Sequence, residues 1–292
     1  MKKNVLFFSP TYYELPLNEN IKKKYDNLSE VANVTVLAFS SQKKIHTESK
    51  TTFYFNKKNK SRIFNYLKIF FVSYFQMFKL ISQHEIEIVT FQDPVTSFLG
   101  VYKIKKKHKD VKIVIESHGD FINTLELEKN LTFPNLYKNL FSKMASYTIN
   151  CADMLRAVSS STEKQALSFD PSKRVVRFPA WIDFEIFSNI EPQRDNKGKF
   201  KILFIGSVTD RKKPHMIIDA LPELINDEVE LNIVGPTPNQ NYLESLQEKI
   251  KSQNVEDRVF IHGNKNRDEV KKFYSENNLM ILPSVSEGLA RV

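Results

Sequence analysis

The chain has 292 residues, a length that suits two domains of ordinary size better than one hydrophobic core. Its 41% hydrophobic and 26% charged residues are typical of a soluble globular protein, and its single cysteine excludes an internal disulfide framework. The net charge of +9 indicates an anionic partner, such as nucleic acid, a phosphorylated small molecule or an acidic membrane face. A lysine-rich solvated surface is the alternative.

The first half predicts strands separated by helical or mixed segments. Its apolar runs are NVLFFS, ANVTVLAF, TTFYFN, IEIVTF, VKIVIES, LRAVSS and RVVRFP. The N-terminal run is too short for a signal peptide and is predicted to be the first strand. With no spanning segment evident and one cysteine, we expect a cytoplasmic protein, and peripheral contact with the inner face of the membrane stays open.

The segment RIFNYLKIFFVSYFQMFKLISQ is the most apolar of the chain. Lys68 and Lys79 interrupt it, which excludes a membrane-spanning helix. Its apolar residues surround the whole helix, a pattern that favours burial against a sheet. An amphipathic helix on an anionic bilayer surface is the alternative.

The second half repeats a strand, a glycine turn and a helix. Its predicted strands are KILFIG, ELNIVG, RVFIHG and LMILPS, with helices around 215–224, 242–251 and 268–275. The polar stretch SNIEPQRDNKGK lacks apolar periodicity and predicts a linker. We therefore predict domains at 1–187 and 200–292 joined by a linker at 188–199. The last helix should be starting where the chain stops, so we expect the second domain to be incomplete.

Five of the seven glycines lie at or just after these apolar runs. Unbroken apolar strands that alternate with helices predict parallel α/β sheets, which bind ligands at the carboxyl ends of their strands. The glycines therefore mark candidate ligand-facing loops. They are Gly119, Gly206, Gly235, Gly263 and Gly288.

Three stretches of the second half resemble the retaining sugar-nucleotide glycosyltransferases of the GT-B fold, family 4. FIGSVTDRKKPHMIIDAL is similar to the family's strand, G-R, basic loop and helix, and IVGPTPNQNYLESLQ to its G-x-G-P loop. DRVFIHGNKNRDEVKKFYSENNLMILPSVSEGLARV resembles its V-x-F-x-G to P-S-x-x-E-G run. The resemblance covers essentially the whole chain. It implies two Rossmann-like α/β domains that face a cleft.

The resemblance assigns Lys212 to the donor diphosphate, together with the glycine loops at Gly206 and Gly235. A charge-assisted contact of this kind is worth about 1.5–3 kcal/mol. The family's arginine after the glycine is Ser207 here, so Arg211 and Arg291 are possible substitutes. The alternative for Lys212 is a solvated lysine in a basic loop.

Glu287 matches the first carboxylate of the family's E-x7-E motif, which implies contact with hydroxyls of the donor sugar near the reacting carbon. The backbone N–H groups of 288–290 would face the phosphates; these residues are Gly288, Leu289 and Ala290. The second glutamate of the motif would lie beyond Val292. The alternative for Glu287 is an acid near a helix N-terminus, worth about 0.3–1 kcal/mol.

In the first domain, His118 precedes Gly119 at the end of VKIVIES, where the family has a histidine that reaches the donor sugar. A structural histidine is the alternative. Tyr12 and Tyr13 follow the first strand and are candidates to stack on an acceptor sugar, or to pack. The histidines show no paired metal-ligand spacing and no D-x-D is present, so no metal ion or other cofactor is predicted.

The resemblance implies a bacterial enzyme of polysaccharide biosynthesis, which moves a sugar from a nucleotide-diphosphate donor to a polysaccharide or lipid-linked glycan with retention. A catalytically weak or inactive sugar-nucleotide or glycan-binding fragment is the second hypothesis. A nicotinamide-dependent oxidoreductase is excluded, because no G-x-G-x-x-G follows either first strand. No nucleic-acid module accompanies the positive charge, so nucleic acid is not a predicted partner.

Overall fold

The computed structural model describes residues 2–59, 61–121, 134–182, 184–193, 198–224, 228–285, 287–290 and 292. The chain forms two compact units, Met1–Ile182 and Asp183–Val292. The linker predicted at 188–199 falls within the second unit, and its role as a linker stays a prediction.

The first unit contains an eight-stranded sheet with the order β3-β4-β2-β1-β5-β6-β7-β8. All neighbouring strands are parallel except β3 and β4, which form an antiparallel hairpin. The strands are β1 (Lys3–Tyr12), β2 (Ala32–Ser40), β3 (Lys44–Glu48), β4 (Thr51–Lys57), β5 (Ile88–Phe91), β6 (Lys112–Ser117), β7 (Met154–Ala157) and β8 (Val175–Arg177).

Helices cover both faces of this sheet. They are α1 (Glu19–Val31), α2 (Arg62–Phe71), α3 (Met77–Gln83), α4 (Phe98–Lys107), α5 (Pro134–Cys151) and α6 (Ser160–Phe169), and a π-helical turn (Val72–Gln76) joins α2 to α3. Side-chain caps fix where two of them begin: Asn18 accepts a hydrogen bond from the backbone N–H of Ile21, and Ser159 forms a capping box with Thr162.

The first unit has a core on each side of its sheet. One core is formed by strand residues that pack against α3, α4 and α5, and it includes Phe8, Met77, Ile104 and Ile149. The other is rich in aromatic rings, with α1 packed against β2 and β4. Its members include Tyr13, Tyr25, Phe53 and Phe55. Burial on both faces explains why the strands are unbroken apolar runs.

The second unit contains a four-stranded parallel sheet with the order β11-β10-β9-β12. Its strands are β9 (Phe200–Ile205), β10 (Val229–Val234), β11 (Val259–Gly263) and β12 (Leu279–Met280). Its helices are α7 (His215–Ala220), α8 (Gln240–Ser252) and α9 (Arg267–Glu276), and 3₁₀ turns lie at Phe184–Ile186 and Leu221–Glu223.

Both sheets contain a point where the strand order reverses. In the first unit, β1 lies between β2 and β5; in the second, β9 lies between β10 and β12. Ligands of open α/β sheets bind outside the carboxyl ends of the strands at such a point. The loops that follow β9 and β12 therefore form the place where a ligand of the second unit is expected.

The predicted parallel α/β architecture is confirmed, with strands at all eleven predicted runs. The sequence did not reveal β3, because an edge strand with one neighbour leaves most of its side chains exposed and shows no apolar pattern. The prediction of burial for residues 62–83 is correct for one face and wrong for the other. Val72, Met77 and Leu80 are buried, whereas Phe71 and Phe75 are 57% and 60% exposed.

Candidate active site

The basic loop after β9 and the segment after β12 meet in the second unit. The ammonium group of Lys212 forms an ion pair with the carboxylate of Glu287, and a guanidinium nitrogen of Arg211 lies 3.5 Å from the same carboxylate oxygen. The two partners are 75 residues apart in sequence. They meet because β9 and β12 are adjacent parallel strands whose carboxyl ends share one edge. The structure thus brings together the two side chains that the resemblance assigned to the donor.

Backbone contacts tie the two segments to each other. The N–H of Val285 donates to the carbonyl oxygen of Arg211 at 3.1 Å, and the hydroxyl of Ser284 donates to the same oxygen at 3.3 Å. The loop itself turns tightly, because Lys212 N–H donates to Thr209 O at 3.0 Å. These hydrogen bonds join the main chain of the basic loop to the segment that leads to Glu287, and so hold Arg211 and Lys212 beside its carboxylate.

The Glu287 carboxyl is held in its ionised form. Burial alone would raise its pKa, but the hydrogen bond from Lys212 and the charges of Lys212 and Arg211 outweigh burial, so the pKa lies below the ordinary value. The site therefore carries two cations and one anion. An incoming diphosphate would compete with Glu287 for the cations, while the carboxylate remains available to accept hydrogen bonds from sugar hydroxyls.

Gly206 and Gly235 bring the loops after β9 and β10 into close approach. Both have positive φ angles, +152° and +145°. A Cβ atom on Gly235 would lie 2.0 Å from the Gly206 carbonyl oxygen, and one on Gly206 would lie 4.0 Å from Cε of Lys212. Gly235 is thus required by the neighbouring backbone, and both glycines lie against the loop that presents Lys212.

A Gly235→Ala variant is expected to lower the free energy of unfolding, because alanine is strained at this φ and its methyl group would overlap the Gly206 peptide. The backbone conformation alone is worth about 1–3 kcal/mol. Chemical denaturation measures the difference. Gly119→Ala is the matched control, since no atom lies within 4 Å of its added Cβ. Equal stability of the two variants would contradict the prediction.

The remaining donor-site predictions lie on the same edge. Ser207, Gly288 and Leu289 are half-buried and Ala290 is exposed. Arg291, the second possible substitute for the family's arginine, lies outside the described residues.

In the first unit, His118 is held by a buried carboxylate at the end of β6. Its Nε2 lies 2.6 Å from Oε2 of Glu116, and NH1 of Arg156 lies 2.9 Å from the same oxygen. Glu116 and Arg156 are register partners in β6 and β7, and they are only 5% and 9% exposed. A guanidinium therefore fixes the carboxylate, and the carboxylate in turn orients the imidazole.

The charge state of Glu116 determines which ring nitrogen carries hydrogen. Burial alone would raise the pKa of Glu116, but its hydrogen bond with His118 and the charge of Arg156 lower it below the ordinary value. An ionised carboxylate only accepts hydrogen bonds, so Nε2–H of His118 donates. The other nitrogen, Nδ1, is then the one left for a substrate.

Arg156 also connects this cluster to the chain after β8. Its NH2 donates to the carbonyl oxygen of Pro179 at 2.9 Å, and its guanidinium lies 4.0 Å from the ring centroid of Phe178. Within the described residues its buried Nε has no hydrogen-bond partner. Arg156 is thus held in place from two sides, which keeps its guanidinium beside the Glu116 carboxylate.

The two tyrosines proposed for the acceptor have different surroundings. The Tyr13 ring is 6% exposed, packs in the aromatic core, and its hydroxyl lies 3.0 Å from that of Tyr25. This placement matches the packing alternative. Tyr12 is 39% exposed with the ammonium of Lys58 5.3 Å from its ring centroid. Acceptor binding by either tyrosine stays a prediction.

Two family models match the chain. The model for Glycosyltransferase Family 4 matches residues 30–186, more than half of the chain, and the model for Glycosyl transferases group 1 matches residues 186–292. The chain belongs to glycosyltransferase family 4. A search of curated proteins found no significant match.

Solved structures show the fold of this transferase. Sucrose-phosphate synthase from Thermosynechococcus elongatus is 12% identical with a TM-score of 0.75, and the alignment covers 99% of this chain and 77% of that one. The lipopolysaccharide outer core galactosyltransferase WaaB is 16% identical, with a TM-score of 0.64 and coverages of 96% and 74%. Anabaena HepE in complex with UDP and glucose is 13% identical, with a TM-score of 0.62 and coverages of 97% and 74%. The predicted GT-B fold is thereby confirmed.

The sequence interpretation missed two residues of the transferase, Glu116 and Arg156. Glu116 is the only acidic residue of VKIVIES, whose other charged residue, Lys112, lies at the start of the strand, and Arg156 is the only charged residue of LRAVSS. Charged residues are almost never fully buried unless paired, so opposite charges in two consecutive strands were a signal that could have indicated the pair.

The described ranges contain neither a metal-binding cluster nor a membrane-spanning helix. No group of three or more histidine, cysteine, aspartate or glutamate side chains there could hold a metal ion. The helices described there also lack the combined length and apolarity that crossing a membrane requires.

Proposed function

We propose that the transferase moves a sugar with retention from a nucleotide-diphosphate donor to a polysaccharide or lipid-linked glycan. The observation that carries the proposal is the cluster of Lys212, Arg211 and Glu287 at the reversal of strand order in the second unit. HepE, a structural neighbour, binds UDP and glucose, and WaaB is a galactosyltransferase of lipopolysaccharide. These relatives support a nucleotide-sugar donor and a role in bacterial polysaccharide biosynthesis.

The proposed reaction breaks the bond between the anomeric carbon and the diphosphate oxygen. The acceptor oxygen bonds to that carbon on the same face, and its proton passes to the departing phosphate. Lys212, Arg211 and backbone N–H groups of 288–290 meet the charge that develops on the phosphate. Because these groups supply positive charge directly, we propose that the reaction needs no metal ion or other cofactor.

One carboxylate, that of Glu287, and one imidazole, that of His118, have proposed roles in binding the donor sugar. Glu287 accepts hydrogen bonds from hydroxyls near the reacting carbon, since its pKa keeps it ionised at neutral pH. His118, oriented by Glu116, contacts the donor sugar as the family resemblance implies.

A screen of nucleotide sugars by thermal unfolding tests the proposal. One donor is expected to stabilise the protein by about 2.7 kcal/mol at 100 times its dissociation constant. With that donor, release of nucleoside diphosphate should increase on adding an acceptor glycan, and NMR should show the donor's anomeric configuration in the product. The matching nucleoside monophosphate, which lacks the second phosphate, is the control.

The outcomes separate the hypotheses. If no nucleotide sugar stabilises the protein, the proposal fails. If a donor stabilises it but neither hydrolysis nor transfer follows, the chain is a sugar-nucleotide-binding protein, which was the second hypothesis from the sequence.

A further inference from the structure

We propose that the first unit docks on an anionic lipid bilayer through the face formed by α2, α3, α4 and α5. The first observation is a row of exposed apolar side chains, which we call the apolar row. Its members Phe64, Leu67, Phe71 and Phe75 are 63%, 48%, 57% and 60% exposed. Their spacing of three, four and four residues places them on one side of a continuous helical segment.

The opposite side of the same helical segment is already buried. Val72, Met77, Leu80 and Ile81 belong to the core beneath the sheet. The segment therefore has two apolar sides, and only one is covered by the protein. On the uncovered side the exposed rings contact each other, since those of Phe71 and Phe75 stack with centroids 6.3 Å apart.

Lysines of α4 border the apolar row. The ammonium group of Lys103 lies 4.2 Å from the ring centroid of Tyr74, 5.1 Å from that of Phe75 and 4.1 Å from that of Phe78. Three more lysines follow at 105–107, at the end of α4. Helix α4 also packs against α5, whose Leu136 and Leu140 are 66% and 51% exposed.

The charge of this face has one sign. Helices α2 to α5 with the π-helical turn carry nine lysines and arginines and no aspartate or glutamate, although the chain has 34 acidic residues. Exposed apolar rings beside cations match the acyl and headgroup layers of an anionic bilayer surface.

A second copy of the chain fits this face less well. In a two-fold interface the same patch lies on both subunits, so cations would oppose cations. The four helices supply no acidic residue to pair with them, and Asp153, just after α5, already forms ion pairs with Lys105 and Lys112. A nucleic acid would meet the lysines through its phosphates but would leave Leu67 and Phe64 without an apolar partner. The bilayer alone satisfies both components of the surface.

Sedimentation with vesicles tests the proposal on the full chain and needs no donor or acceptor, so its result is independent of the proposed function. We expect the protein to bind vesicles of phosphatidylcholine with phosphatidylglycerol and to remain in solution with phosphatidylcholine alone. Raising the salt concentration should weaken the binding, because the lysine contribution is screened.

Two pairs of variants assign the binding to this face. Phe71→Ser with Phe75→Ser is expected to weaken partitioning at least about tenfold, given the apolar area removed from the bilayer. Lys106→Ala with Lys107→Ala should weaken it by about thirtyfold at low salt, since each lysine near the surface is worth about a fivefold change. Both changes are at exposed positions, and thermal unfolding verifies that the variants fold.

Matched controls lie on β3 and at the residue that precedes it. Ile45→Ser removes an apolar side chain that is 64% exposed, and Lys43→Ala with Lys44→Ala removes two exposed lysines. These controls should bind vesicles as the original chain does. The proposal would be overturned if the controls lost as much binding as the test variants, if neutral vesicles bound equally well, or if no vesicles bound. It would also be overturned if the apolar row instead mediated dimer formation or RNA binding.

Discussion

A Lys212→Met variant is expected to transfer sugar about 10²–10³-fold more slowly than the original transferase, the loss typical of removing one group that stabilises transition-state charge. Methionine keeps much of the length of the side chain and removes its charge. The ammonium group lies at the end of β9, bound to Glu287 and next to the Gly206 and Gly235 loops. Donor turnover, measured as release of nucleoside diphosphate, should fall accordingly.

Lys213→Met is the matched control for this experiment. Lys213 is the next residue of the same basic loop, whereas the ion pairs to Glu287 come from Lys212 and Arg211. If Lys212 were only a solvated lysine of that loop, the two variants would behave alike. Equal turnover in both variants would therefore contradict its role at the donor phosphate, and unfolding curves of both show whether the loss is one of folding.

A companion change separates phosphate binding from sugar binding. Glu287→Gln frees Lys212 and Arg211 from a competing anion, so nucleoside diphosphate should bind at least as tightly as before. Transfer should still fall, because the amide is a weaker acceptor for sugar hydroxyls than the carboxylate. Isothermal titration gives the first quantity and product release the second. Weaker diphosphate binding would place Glu287 against the phosphates instead.

The sequence was sufficient to predict every described strand except β3 and to place Lys212 and Glu287 beyond the carboxyl ends of strands in the second unit. Unbroken apolar runs followed by glycine located β9, β10 and β11, and the carboxyl ends of parallel strands share one edge of a sheet. The family resemblance then assigned the loops after β9 and β10 to the donor. Whether Lys212 would face Glu287 or solvent depended on the bonds from 284 and 285 to the Arg211 carbonyl, which no sequence pattern records.

Side-chain pairs between neighbouring strands could not be predicted from a single sequence. Glu116 contacts Arg156 because β6 and β7 are neighbours in one particular register, and a shift of one residue would turn the two side chains to opposite faces. The same limit applies to residues 62–83. Their apolar residues surround the helix, but the number of sides that the protein covers depends on the neighbouring elements, and here the side bearing Phe71 is uncovered.

A Glu116→Ala variant is expected to lose about 3–5 kcal/mol of the free energy of unfolding at pH 7, because it leaves the buried Arg156 guanidinium without its counter-charge. The side chains of both residues are at most 10% exposed, so water cannot replace the lost partner without rearrangement. Chemical denaturation measures the loss. Lys3→Ala with Glu87→Ala is the control, since that ion pair is well exposed and should contribute little.

The pH dependence of this loss has a defined sign. The pKa of Glu116 in the folded state lies below its ordinary value of 4.5, so the carboxylate contributes stability above that value and loses it as pH falls through the folded pKa. The difference between the original chain and Glu116→Ala should therefore be full at pH 7 and shrink below about pH 4.5. A difference that is constant across this range would show that packing, not charge, is lost.

Replacing both members of the pair distinguishes structural stability from function. Glu116→Leu with Arg156→Met removes both buried charges together, and such replacements are often neutral or stabilising, so much of the stability should return. The orientation of His118 should not return, because leucine offers no acceptor for its Nε2–H. A double variant that is stable yet transfers sugar slowly would assign to the pair the task of orienting the imidazole, whereas recovery of both properties would show that His118 needs no carboxylate beside it.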